Sequence, residues 1–338
     1  MIISENFSLK KYNTFGIEAK TKYFAEISLL DDVRKISADK RFVKAEKLIL
    51  GGGSNILFTK DFDGIVIKNN FKGIAVDFET ENHVFVKVGA GENWHSFVLY
   101  CIENNYAGVE NLSLIPGNVG ASPMQNIGAY GVEVKDVFHE LEALEITSGL
   151  IQRFSASECK FGYRESVFKN KHRNQFIITS VTFRLNKIPK FNISYGAIEQ
   201  ELDKMGVKEL SIAAISKAIC SIRSSKLPDP KVIGNAGSFF KNPVVSSDLY
   251  QQIKNEFPNV VAYAAENGNM KLAAGWLIEQ CGWKGYRKND FGVHKNQALV
   301  LVNYGSAKGN EIYNLSQEVM DSVYEKFGVV LEREVNIV

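Results

Sequence analysis

Residues 116–131 read Pro-Gly-Asn-Val-Gly-Ala-Ser-Pro-Met-Gln-Asn-Ile-Gly-Ala-Tyr-Gly. Four glycines, two alanines and one serine leave much of this backbone without bulky side chains. Glycine admits φ > 0 and carries no Cβ, so such a segment offers main-chain N–H groups to a ligand at close range. A second segment of this kind comes earlier, where Lys47-Leu48-Ile49-Leu50 runs into Gly51-Gly52-Gly53-Ser54-Asn55. Either loop alone reads as a tight turn between strands. Together they read as a main-chain cradle for a large phosphate-bearing cofactor. The dinucleotide fingerprint of a plain βαβ domain is absent, because the sixth position is Ile56 and extended sequence follows where a helix should open.

A chain of 338 residues has room for two or three domains with their own cores. Its 45% hydrophobic and 23% charged residues suit an ordinary globular protein. The net charge of +2, from 40 basic and 38 acidic residues, creates no global field. Neither nucleic acid nor a membrane is therefore expected as a partner. The densest basic cluster, 169–173, reads as a solvated loop. No apolar run approaches the ~18 residues of a membrane span, and Met1-Ile2-Ile3-Ser4-Glu5 lacks the features of a signal peptide. Cys101, Cys159, Cys220 and Cys281 form no Cys-x-x-Cys pair, which fits a reducing cytoplasm. The five histidines show no ligand spacing, so no metal site is expected.

The first half is rich in strand patterns, at 22–27, 48–50, 64–67, 84–88 and 176–185. Val84, Val86 and Val88 share one face. Trp94, Phe97, Val98, Cys101 and Ile102 make a helical stripe, and a hairpin over 138–154 turns at Ser148-Gly149. The character changes near residue 206. Ser211 is placed to cap a helix carrying Ile212, Ile215, Ile219 and Ile222, which must stop before Pro228. Further helical stripes are Leu272, Ala273, Trp276, Leu277 and Cys281, then Ile312, Leu315, Val319, Val323 and Phe327 with Gly328 beyond. A strand is expected over 329–338.

Three constellations have chemical potential. Gly162-Tyr163-Arg164-Glu165-Ser166 sets an arginine in a polar turn, where it serves either a developing anion or a surface ion pair with Glu165. In Asn235-Ala236-Gly237-Ser238-Phe239-Phe240-Lys241-Asn242-Pro243, Ser238 sits in a tight turn anchored by two aromatics. It is no nucleophile elbow, which leaves a proton-donating hydroxyl or a serine bonded within its own turn. In Leu331-Glu332-Arg333-Glu334-Val335-Asn336, strand alternation puts Glu332 and Glu334 on one face. They form either a solvated edge or an acid whose pKa burial raises.

These motifs, in this order, resemble the bacterial UDP-N-acetylenolpyruvoylglucosamine reductases. The resemblance runs from Asn13-Thr14-Phe15-Gly16 through the two glycine loops, Gly162-Tyr163-Arg164 and 235–243 to Glu334-Val335. Lys226-Leu227-Pro228-Asp229-Pro230 and Ala273-Ala274-Gly275-Trp276-Leu277-Ile278 extend it. It implies an α+β fold with a two-lobed FAD-binding region of the vanillyl-alcohol-oxidase (PCMH) type, at 1–70 and 71–205. A C-terminal α+β substrate-binding domain follows at 206–338, its last strand returning to the active site. The insertion around Ser194-Tyr195-Gly196 marks the longer, type I subtype.

The resemblance further implies FAD as cofactor and NADPH as co-substrate. Gly51, Gly52, Gly53, Ser54 and Asn55 would hold FAD together with Pro116, Gly117, Gly120, Ser122, Asn126 and Gly128, with Arg223 as a further contact. Arg164 and Glu334 would stabilise an enolate, Glu332 being the rival of Glu334, and Ser238 would donate the proton. Tyr195, Lys226 and Asn242 match substrate contacts, joined by Tyr130 and Gln297. The expected molecule is a cytoplasmic monomer acting on a UDP-sugar. A flavin oxidase and a non-catalytic nucleotide binder are the other readings of the scaffold. Tyr195, Lys226 and Asn242 argue against the first, and intact Arg164, Ser238 and Glu334 against the second.

Overall fold

Val84, Val86 and Val88 are fully buried, as the alternation requires, on the strand His83–Gly89. This strand lies in a five-stranded antiparallel sheet ordered Ile151–Ser155, Phe138–Glu145, Phe176–Asn186, His83–Gly89, Ile74–Glu79. The helix Trp94–Glu103 packs its stripe against the sheet, with Trp94, Phe97, Val98 and Cys101 in one core with Val181 and Phe183. The Asn93 side chain caps it by accepting the Ser96 N–H at 3.0 Å. Burying each such aromatic contributes about 1.5–3 kcal/mol. The computed structural model describes residues 1–338 and divides them into two compact units.

The first unit comprises Met1–Phe7, Thr21–Gly53 and Asp63–Ser225. Besides the five-stranded sheet it includes most of a four-stranded one, ordered Ile3–Ser8, Lys20–Ile27, Phe62–Asn69, Glu46–Leu50, whose last pair is parallel. The helix Leu30–Ala38 supplies Val33 and Ile36 to a cluster with Ile65 and Ile67. Leu144 and Ile177 join that cluster from the other sheet, with Ile146 just beyond its strand, so the two sheets share a core within this unit.

The second unit comprises Ser8–Lys20, Ser54–Phe62 and Lys226–Val338. Its sheets are Gly234–Asn235, Leu301–Asn303, Phe291–Val293, Arg287–Lys288 and Val244–Val245, Met270–Leu272, Ala262–Ala264, in those orders. The helix Gly309–Phe327 buries Ile312, Leu315, Val319, Val323 and Phe327 on one face. Gly328 closes it in the left-handed region at φ 66°, donating its N–H to the Tyr324 carbonyl.

Compactness puts the boundary at Ser225/Lys226 rather than near residue 206. The cause is the helix Ile212–Lys226, whose Ile215, Ile219 and Ile222 pack on Ile198 and Leu202 of the helix Gly196–Lys204. Two other expectations differ. Leu272 belongs to the strand Met270–Leu272 and the following helix covers only Ala274–Gln280. The tail 329–338 is not one strand: Arg333 forms an isolated bridge with Phe240, and only Asn336–Ile337 pairs, in parallel with Ile56–Leu57.

Candidate active site

The two glycine loops meet within the first unit. A Cβ on Gly52 would lie 2.9 Å from Gly117 Cα and 3.0 Å from Asn118 Oδ1, so the loops touch backbone to backbone. Gly53 and Gly117 have φ of 65° and 122°, conformations that a side chain would oppose. The second loop is pinned from behind, with Trp94 N–H donating to the Gly117 carbonyl, Val119 N–H to Glu92 and Gly120 N–H to Ala90. Gly120 is forced by contact, since a Cβ there would sit 2.5 Å from the Ala90 methyl. Two facing stretches of main chain suit a pyrophosphate held by N–H groups, so the residues fit FAD.

Two expected cofactor contacts have side chains already engaged within the protein. The Ser122 hydroxyl donates to Val119 O at 2.7 Å. The buried Asn126 amide donates to Glu133 Oε2 and Gly162 O, while its oxygen accepts the Lys135 N–H. Asn126 thereby ties the loop to the turn carrying Arg164. That arginine donates to the Gly128 carbonyl at 2.6 Å and stands 5.3 Å from the Tyr163 ring centroid. Leu114, Asn126, Tyr130 and Arg164 all have positive φ, between 44° and 58°. Non-glycine residues hold this conformation only where surrounding contacts impose it, a pattern concentrated at functional sites.

Tyr130 and Tyr195 meet edge to face at 5.5 Å between centroids. Asn111 fastens both flanks, donating to the carbonyls of Tyr130 and Asn192 at 3.0 and 2.8 Å. The Tyr130 phenol and the Arg223 guanidinium influence one another's charge, and Arg223 Nε donates to Leu114 O at 3.3 Å. Burial pulls the Arg223 guanidinium below its ordinary value and pushes the Tyr130 phenol up, each opposed by the other's charge. Asn111 and His95, whose Nδ1 accepts the Leu114 N–H at 3.0 Å, escaped the sequence reading. Asn111 had one signal, its place five positions before the glycine-rich segment, and His95 had none.

The second unit assembles the other candidates around residues 235–243. Phe239 N–H donates to Leu299 O on one side, and its carbonyl accepts the Glu334 N–H at 2.8 Å on the other. Ser238 and Glu334 thus lie on adjoining segments, Glu334 facing Phe239 rather than Ser238 itself, although 96 positions separate them in the chain (334 − 238). Asn55 joins them: its Nδ2 donates to Glu334 O at 3.2 Å, and its own carbonyl accepts the Asn336 N–H. The fold therefore stitches the end of the first glycine loop to the segment bearing the candidate acid. Glu334 is half-buried, whereas the side chain of its rival Glu332 is 69% exposed and paired with Lys241.

Asn242 Oδ1 accepts the Ala274 N–H at 3.0 Å, capping the helix Ala274–Gln280. Gln297 reaches the same helix start, its Oε1 lying 3.1 Å from where a Gly275 Cβ would be. Lys226 is exposed, and its segment is tied to the serine turn by Asn235, which donates to Pro228 O at 3.2 Å and accepts the Gly237 N–H. Behind the turn lies the Asn13-Thr14-Phe15-Gly16 motif. Thr14 donates to Asn235 O at 2.6 Å, Asn303 donates to Phe15 O, and the Phe15 and Phe239 rings meet at 6.2 Å.

Comparison with known proteins agrees with this geometry. A family described as "FAD binding domain" matches residues 22–155, and "UDP-N-acetylenolpyruvoylglucosamine reductase, C-terminal domain" matches 229–338. A solved UDP-N-acetylenolpyruvylglucosamine reductase from Thermus caldophilus superposes with a TM-score of 0.66 at 21% identity, over 99% of this chain and 98% of that one. 6-Hydroxy-D-nicotine oxidase from Arthrobacter nicotinovorans shares the fold at a TM-score of 0.54 and 12% identity, over 97% and 86%. A protein of Amoebophilus asiaticus named UDP-N-acetylenolpyruvoylglucosamine reductase is 52% identical over the full length of both chains. The chain is an FAD-dependent oxidoreductase of α+β fold, with an FAD-binding region and a C-terminal domain. Within that class, it belongs to the UDP-N-acetylenolpyruvoylglucosamine reductase family, which serves peptidoglycan precursor synthesis.

Proposed function

We propose that the protein reduces UDP-N-acetylenolpyruvoylglucosamine to UDP-N-acetylmuramate with NADPH, as a cytoplasmic monomer of the type I subtype. FAD, when bound, would supply the hydride for the terminal carbon of the enol ether, with NADPH as the source of its two electrons. The residues of the chain do the rest. Arg164, oriented by the Gly128 carbonyl, offers a guanidinium to the substrate carboxylate as negative charge spreads into it. Glu334 in its acid form supports the same oxygens. Ser238 gives its proton to the adjacent carbon, a transfer that its weak acidity allows because the acceptor is a carbanion. Gly51, Gly52, Gly53, Ser54, Asn55, Pro116, Gly117 and Gly120 hold the pyrophosphate through main chain, and Arg223 lies against the cofactor. Ser122, Asn126 and Gly128 contribute backbone, their polar atoms being engaged as described. Tyr195, Lys226 and Asn242 hold the nucleotide diphosphate, with Tyr130 and Gln297 beside them.

The observation that supports this reading best is the main-chain bond from Glu334 N–H to Phe239 O, which joins the segment of Glu334 to the residue following Ser238. The test is Ser238→Ala. Reduction of the bound flavin by NADPH should be unchanged, while reoxidation by the enolpyruvyl sugar nucleotide slows about 10²- to 10⁴-fold. An unaltered reoxidation rate removes Ser238 from the role of proton donor.

A further inference from the structure

We propose that Lys241 and Glu332 form a clasp that positions Ser238 and Glu334, making them positioning residues for the proton-transfer half of the reaction; this rests on the function proposed above. The Lys241 ammonium is 2.6 Å from Glu332 Oε1. The side chain of Lys241 is 9% exposed and that of Glu332 is 69% exposed. A buried ammonium is costly unless it is held by an opposite charge and hydrogen bonds. Its carboxylate partner here belongs to the segment that carries Glu334.

The main chain repeats the connection. Lys241 N–H donates to Glu332 O at 2.9 Å, and Phe240 bridges Arg333. Arg333 points the other way, its guanidinium donating to Ser316 Oγ at 2.7 Å and Gln317 Oε1 at 2.8 Å and lying over the Tyr313 ring at 4.5 Å. Residue 332 therefore grips the serine-bearing segment and residue 333 grips the long helix Gly309–Phe327. Glu334 follows directly. Because the tail is not a continuous strand, these side chains supply register that a longer ladder would otherwise provide. A shift of about 1 Å between proton donor and acid is enough to cost on the order of 100-fold in rate.

The test uses the full-length flavoprotein with Glu332→Ala, Lys241→Arg and the exchange Lys241→Glu/Glu332→Lys. Flavin reduction by NADPH and reoxidation by the enolpyruvyl sugar nucleotide are timed separately, and amide hydrogen exchange is followed at Glu334 and along 309–327. Glu332→Ala should leave reduction within about twofold, slow reoxidation at least about tenfold and speed exchange at Glu334 by a similar factor, with the helix unaffected. Lys241→Arg should retain most of the reoxidation rate. Unchanged exchange at Glu334, or equal loss in both half-reactions, overturns the clasp. If Lys241→Glu/Glu332→Lys fails to fold, the exposed Glu332→Ala site still decides the matter. Wild-type protein that never reoxidises with this substrate would refute the proposed function instead, and the exchange measurement would still report on the clasp.

Discussion

Gly52→Ala tests the contact between the two glycine loops. Carbon atoms pack at about 3.5–4.0 Å, whereas the added methyl would start 2.9 Å from Gly117 Cα and 3.3 Å from its carbonyl carbon. The loops would have to part by about 0.6–1.1 Å. The Asn118 side-chain oxygen, 3.0 Å from the same methyl, can rotate away, but the two Gly117 atoms are backbone and no rotamer change relieves that clash. Overpacking of this kind costs about 1–3 kcal/mol. If the strain is released by letting go of the cofactor geometry, FAD affinity falls about 5- to 150-fold. Gly51→Ala is the comparison, because its nearest atoms would be 3.8 Å away, an ordinary contact. The assay is FAD fluorescence quenching on titration into apoprotein, alongside the apoprotein melting temperature. Gly52→Ala should weaken binding within that range while Gly51→Ala stays within about threefold. Equal FAD affinity in Gly52→Ala and wild type would refute the reasoning, and equal damage from both substitutions would move its cause away from the loop contact.

Two other perturbations follow from the first unit. Burial, reinforced by the Arg223 charge, holds the His95 imidazole below its ordinary value, and its Nδ1 must be unprotonated to accept the Leu114 N–H. A depressed folded-state value gives stability that is present above the unfolded value of about 6.5 and withdrawn as pH falls through the folded one. The apoprotein should therefore lose stability from pH 7.5 to 5, and His95→Asn should flatten that slope by about 1 kcal/mol; identical slopes contradict the role given to His95. Tyr195, 44% exposed and edge-on to Tyr130, should matter to the sugar nucleotide alone. Tyr195→Ala is expected to raise its KM about tenfold without changing flavin reduction by NADPH, and an equal rise in the KM for NADPH would assign the tyrosine to both ligands.

Much of the scaffold was legible because periodicity maps directly onto burial. The Trp94 stripe and the Ile312 stripe each became a helix with the expected inner face, and the hairpin closed at Gly149, whose φ is 69°. Four helices went unforeseen, Leu30–Ala38, Ala156–Cys159, Gly196–Lys204 and Ser247–Glu256, the last of which buries only Ile253 and so carries almost no apolar stripe. Its readable signal was Ser246, which caps it by accepting the Leu249 N–H. The tail misled because alternation over 329–338 suits a strand, but strand formation needs a partner along its length. The choice between Glu332 and Glu334 was likewise closed to sequence. Only the fold brings Lys241 across 91 positions to pair with the first, and joins the main chain of the second to Phe239. The packing of Ile215, Ile219 and Ile222 with Ile198 and Leu202 of the preceding helix had no signal in the periodicity of either segment.

The most direct measurement is the visible absorbance of the purified protein under anaerobic conditions, first with NADPH and then with the enolpyruvyl sugar nucleotide. The flavin band should bleach on the first addition and return on the second, in stoichiometric amounts, with UDP-N-acetylmuramate as product. A protein that stays bleached after the second addition, or that takes up no FAD at all, contradicts the account.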